Sequence, residues 1–108
     1  MHSLDILVYV APHFNAAATM SFVDPFRVAN YLTGAMQFTW KFVSEQGGLI
    51  ESSNGAVIQT VPIETVADRA PWLVAVSTSW TPEQITSRAL FGNLRKWQKN
   101  GAIIGGLD

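Results

Sequence analysis

Leu4-Asp5-Ile6-Leu7-Val8-Tyr9-Val10 decides how this chain is read. Apolar side chains fall on both alternating faces of this short run, and Asp5 is its only charge. A strand with one wet face would alternate polar and apolar residues. This one reads as buried on both faces, which is the mark of a parallel sheet. Ala11 and Pro12 end it. Trp72-Leu73-Val74-Ala75-Val76 has the same character, and Ala102-Ile103-Ile104 enters a last strand. Phe38-Thr39-Trp40-Lys41-Phe42-Val43-Ser44 alternates and is also read as a strand.

Between these runs the periodicity changes to that of a helix. Residues 15–33 place Phe22, Phe26 and Ala29 on one stripe, widened by Val28 and Leu32, and Gly34 supplies the stop. Pro25 must either kink this helix or begin it, with Asp24 as the N-cap. One kinked or tightened helix is expected. Gly47-Gly48 makes a turn. Leu49-Ile50-Glu51 and Ala56-Val57-Ile58-Gln59 flank Ser53-Asn54-Gly55 as a hairpin. Residues 62–68 read as one short helical turn. Thr81-Pro82-Glu83-Gln84 has the chemistry of a helix start, followed by an apolar face of Ile85, Ala89, Leu94 and Trp97. Gly92-Asn93 could split that stretch into two helices.

Composition sets the bounds on function. The 108 residues are 48% hydrophobic and 14% charged, which suits one globular domain rather than a disordered segment. The net charge is −1, without the basic stripe of a nucleic-acid-binding module. Arg95, Lys96 and Lys99 form the only basic cluster, near a helix end where cations favour the dipole. If this protein regulates DNA, the DNA-reading part lies elsewhere. With no cysteine, disulfides, thiolate metal sites and thiol nucleophiles are excluded. The start, Met1-His2-Ser3-Leu4-Asp5, is not a signal peptide, and no stretch is long enough to span a bilayer. A cytoplasmic home is expected.

The order strand, helix, strand, hairpin, strand, helix, strand predicts an α/β fold: a three-layer α/β/α arrangement around a mostly parallel, flavodoxin-like sheet. Ligands on such sheets bind outside the carboxyl ends of the strands. Residues 11–18, 77–80 and 105–108 therefore define the expected crevice.

Four motifs in order resemble the N-terminal domain of regulators that join a PfpI-like, class I glutamine amidotransferase-like domain to an AraC-type helix-turn-helix domain. The first is Asp24-Pro25-Phe26-Arg27-Val28-Ala29-Asn30, where the family pattern has Glu-Pro-Leu-Arg-x-Ala-Asn. The others are the aromatic-rich strand from Phe38, Gly47-Gly48-Leu49-Ile50-Glu51-Ser52-Ser53-Asn54-Gly55, and the approach to a nucleophile elbow in Asn100-Gly101-Ala102-Ile103-Ile104-Gly105-Gly106-Leu107-Asp108. In the enzymes of this superfamily a cysteine stands at that elbow. The corresponding position here is Asp108, a much poorer acyl nucleophile. The partner glutamate of the first helix falls at about Ala18. Both catalytic groups are read as missing, and the resemblance implies no cofactor.

The resemblance further implies that residues 1–108 form a single domain that continues past Asp108, that a DNA-binding domain lies outside this chain, and that the domain pairs as a homodimer. Self-association through the last strand is expected. The reading is a non-catalytic ligand sensor and dimerisation domain of an AraC-type regulator. A stand-alone PfpI-like hydrolase or glyoxalase is the alternative enzyme reading, and a dimerisation module with an empty cleft is the structural one. Phe14, Asn15, Ser77, Thr78, Trp80 and Asp108 are the candidate ligand residues. Hydroxyls, one aromatic face and one carboxylate suit a small polar effector with a cationic nitrogen, such as an amino acid or a quaternary amine. Trp80 could instead pack over the next helix, and Asp108 could cap one. His13 is read as a loop residue. Arg27 is read as an ion-pair or dimer-contact residue in preference to an anion binder.

Overall fold

A computed structural model describes residues 3–78 and 87–107. The elements run β1 (Leu4–Val10), α1 (Ala16–Thr33), β2 (Phe38–Ser44), β3 (Gly48–Glu51), β4 (Val57–Pro62), a 3-10 turn (Ile63–Val66), β5 (Leu73–Ser77), α2 (Arg88–Lys99) and β6 (Ile103–Leu107). They form one six-stranded sheet in the order β3-β4-β2-β1-β5-β6. Every pairing is parallel except the β3–β4 hairpin. The expected three-layer, flavodoxin-like α/β architecture is what is found.

Alternation along β1 sends its side chains to two cores. Ile6, Val8 and Val10 join Phe14, Ala16 and Val23 beneath α1, where Phe22, Phe26, Phe38, Trp40 and Trp72 close the layer. Leu7 and Tyr9 join Val43, Ile63, Val66, Val74, Leu90 and Trp97 on the opposite face, under the 3-10 turn and α2. Both faces of the first strand are dry, as its unbroken apolar run requires.

Helix α1 begins at Asn15, whose side-chain oxygen accepts from the Ala18 amide, and not at Asp24. Asp24 is a mid-helix residue paired with Arg27. Pro25 lies inside the helix. It is tolerated because it faces solvent, where the Ser21 carbonyl that it leaves without a helical donor can be hydrated. Gly34 closes the helix at φ 68°, its amide bonding to the Asn30 carbonyl. Asn30 then ties helix to sheet. Its amide donates to the Phe38 carbonyl at 2.8 Å and accepts from the Phe38 amide at 3.0 Å, imitating a neighbouring strand at the start of β2.

Two expectations for the second half change. Helix α2 starts at Arg88, with Ser87 accepting from the Leu90 amide, and runs unbroken through Gly92-Asn93, where the Asn93 side chain bonds to the Ala89 carbonyl. Its inward residues are Leu90, Leu94 and Trp97, while Ala89 is exposed. The helix start read at Thr81 and the apolar Ile85 lie outside the described residues. Lys96 of the basic cluster donates to the Ala67 carbonyl and so fastens α2 to the segment after the 3-10 turn.

Candidate functional site

Three loops meet at the carboxyl edge of the sheet, and backbone hydrogen bonds lace them together. The Ala11 amide reaches the Ser77 carbonyl at 3.1 Å, the Asn15 amide the Thr78 carbonyl at 3.1 Å, and the Thr78 amide the Leu107 carbonyl at 3.0 Å. The ends of β1, β5 and β6 therefore form one surface, as expected of loops that follow adjacent parallel strands.

The side chains divide between the two faces of the sheet. His13 adopts φ 65°, the one left-handed residue other than glycine among those described. That turn drops Phe14 into the core beneath α1, where it has no solvent exposure and builds structure instead of walling a cleft. The Asn15 side chain is spent on the helix cap. The Ser77 hydroxyl is fully buried, 2.6 Å from the Thr19 hydroxyl. Thr19 also lies 2.7 Å from the Asn15 carbonyl. A carbonyl can only accept, so the single Thr19 proton goes there and Ser77 must donate to Thr19.

Thr78 differs. It is half-buried, and with Val76, Leu90, Leu94, Ile104 and Gly105 it lines an open cavity of about 380 Å³ on the α2 face. Gly106 contributes to the same wall, and Phe91, 42% exposed, stands at its rim. Of the six residues singled out from sequence, Thr78 alone lines this cavity among the described residues. Trp80 and Asp108 lie outside the described residues. They stand two residues beyond Thr78 and one beyond Leu107 in the chain. The cavity wall from α2 was missed from sequence, since Leu90 and Phe91 were not read as part of an apolar face.

The hairpin also reaches this edge. The His13 amide donates to the Glu51 carbonyl at 2.8 Å and the Ser53 amide to the Phe14 carbonyl at 2.9 Å. Buried Ser52 donates to the Asn54 side chain at 2.5 Å, which shapes the Asn-Gly turn. The Ser-Ser-x-Gly motif thus positions the first loop.

Electrostatics at the edge centre on Tyr9. Burial raises its phenol above the usual value, and nearby Glu45 adds to the rise; the hydrogen bond with Ser87 opposes both. Ala18, read as the position of the partner acid, sits half-buried in the first turn of α1 and carries no acid. Among the described residues no group of three His, Cys, Asp or Glu side chains could hold a metal ion. None of their helices is long and apolar enough to cross a membrane.

Comparison with known proteins agrees with this architecture. No protein-family model matches the chain. It is 29% identical over 106 residues to the HTH-type transcriptional regulator CdhR of Pseudomonas aeruginosa, a match over 98% of this chain and 31% of that protein. An AraC family transcriptional regulator from Pseudomonas putida superposes with a TM-score of 0.80 at 21% identity, covering 95% of this chain and 55% of that one. A ThiJ/PfpI domain protein from Brachyspira murdochii superposes with a TM-score of 0.76 at 16% identity, over 97% and 59%. The expected likeness to the PfpI-like domain of AraC-type regulators is found in both sequence and fold. The chain spans about a third of the curated relative's length and just over half of the two solved chains.

Proposed function

We propose that the chain is the non-catalytic effector-sensing part of a transcriptional regulator, working in the cytoplasm as a two-fold pair, with DNA contacted by a separate domain. Its likeness to a helix-turn-helix regulator over nearly its whole length carries this reading. Its lack of any cysteine argues against the thiol chemistry of the hydrolase and glyoxalase alternatives.

The effector is proposed to bind at the carboxyl edge, in the cavity that Thr78 shares with α2 and β6. Val76, Leu90, Leu94 and Ile104 supply an apolar bed, and the Thr78 hydroxyl offers a donor and an acceptor there. Asp108 would supply a negative charge, and the Trp80 ring face would contribute about 0.5–2 kcal/mol toward a cation. A small molecule with an apolar body and a cationic nitrogen fits this set, which points to an amino acid or a quaternary amine.

Calorimetric titration of the protein with a panel of amino acids and tetraalkylammonium ions tests the reading. One class should bind, and Leu94→Trp, which fills the cavity, should abolish its binding. The site is refuted if Leu94→Trp and Asp108→Asn both leave the affinity unchanged. The sensor reading is refuted if no member of either class binds.

A further inference from the structure

The outward face of α1 is apolar to a degree unusual for the surface of a small domain. Asp24 and Arg27 are the only charged residues in its eighteen. Met20 is 40% exposed, Val28 37%, Tyr31 81% and Leu32 76%. A surface helix without a partner ordinarily turns charged residues outward, and a continuous apolar patch marks a contact surface.

The shape of this face is specific. A ridge of Met20, Asp24, Val28 and Leu32 runs beside a trough of the smaller Ser21, Pro25 and Ala29, and together they line a shallow groove. Both rows follow the four-residue spacing that interdigitates when two helices pack. Asp24 and Arg27 lie side by side on this face, bonded at 2.8 Å and more than half exposed. In an antiparallel pair of α1 helices with the two-fold axis beside Pro25 and Phe26, Asp24 of each copy comes opposite Arg27 of the other. The same register sets Met20 opposite Tyr31. The charges are then reciprocal, which is the self-complementarity that an isologous contact requires.

We infer that the outer face of α1 is the surface through which two copies of this chain pair, with Asp24 and Arg27 exchanging partners across the axis. The inference rests on the pairing contained in the regulator reading and gives it a surface. It replaces the self-association expected through the last strand.

Reversing the charges one at a time separates a contact between copies from an ion pair within one helix. In sedimentation velocity the wild-type protein should show a dimer. Asp24→Arg and Arg27→Asp should each raise the dimer dissociation constant about tenfold or more, because like charges then face each other. Mixing the two variants should restore pairing, since a copy with only positive charge at these two positions then meets a copy with only negative charge. Circular dichroism melts should show both variants folded, and Val28→Glu should weaken the dimer as well. Three results would overturn the inference: a wild-type monomer at ~100 μM, a mixture that pairs no better than its components, or a dimer that survives Val28→Glu but is lost with Ile103→Glu at the β6 edge. Titrating the same variants with the effector panel keeps the two proposals apart, since the α1 surface can fail while effector binding persists.

Discussion

Replacing Thr19 with valine keeps the shape of the side chain and removes one hydroxyl, which makes it a clean probe of the carboxyl edge. Thr19 and Ser77 are both fully buried. Because Ser77 donates to Thr19, the change strands the Ser77 proton in a dry site. An unsatisfied buried donor costs about 1–3 kcal/mol. The Asn15 carbonyl retains the Thr19 backbone amide at 3.1 Å, so little is lost there. At roughly 4 °C per kcal/mol for a domain of this size, Thr19→Val should lower the melting temperature by about 4–12 °C. Ser77→Ala removes the donor instead of stranding it and should cost less, about 1 kcal/mol. In the double variant neither hydroxyl remains, so its loss should fall short of the sum of the single losses by about 1–2 kcal/mol. Thermal unfolding followed by circular dichroism provides the cycle. Strict additivity would show that the hydroxyls do not interact and would reopen Ser77 as a group able to face a ligand.

Gly47 and Gly55 both hold positive φ, at 79° and 91°. A Cβ on Gly47 would lie 2.6 Å from the Pro62 side chain and 2.9 Å from its backbone nitrogen, whereas Gly55 has open space. In denaturant titrations Gly47→Ala should therefore cost about 2–5 kcal/mol from strain and overlap together, against about 1–2 kcal/mol for Gly55→Ala; equal losses would contradict the close approach. Tyr9 has its ionisation raised above 10.0 in the folded state, so its neutral form contributes stability fully below pH 10.0, and that contribution falls as pH rises toward the folded value. Stability measured from pH 8 to 11 should drop more steeply in the wild type than in Tyr9→Phe, and parallel profiles would exclude the effect.

The strands were legible where one local pattern decided them. β1 and β2 have the bounds read from sequence, because both cores press on residues that alternate without interruption. β5 runs one residue further along than expected, to Ser77, because that residue pairs with the end of β1. β4 extends to Pro62 by pairing Val43 with Val61 and Ser44 with Pro62, a contact that hairpin rules do not contain. The proline in α1 misled because its cost depends on which way residue 25 faces, and that is settled by packing. The Asp24–Asn30 motif proved informative about fold more than about chemistry. Phe26 stacks on Phe38 and Trp72, and Asn30 clamps β2. At the site, the convergence of the three loops followed from topology alone. The inward turn of Phe14 and the burial of Ser77 depend on a left-handed His13 and on a threonine one helical turn into α1, neither of which a motif announces.

The central place of β1 bears on how the chain comes off the ribosome. One edge of β1 is taken by β2, but the strand that covers the other, β5, follows roughly 60 residues after β1 ends. At about 5–20 residues per second, that edge waits on the order of 3–12 s before its partner has been synthesised. Throughout that interval an apolar strand presents unpaired amides and carbonyls, the condition that invites pairing with another nascent chain. Slowing initiation or lowering the growth temperature spaces such chains apart, so the yield of this protein from cells depends on the traffic of its own messenger as well as on the stability of its finished sheet.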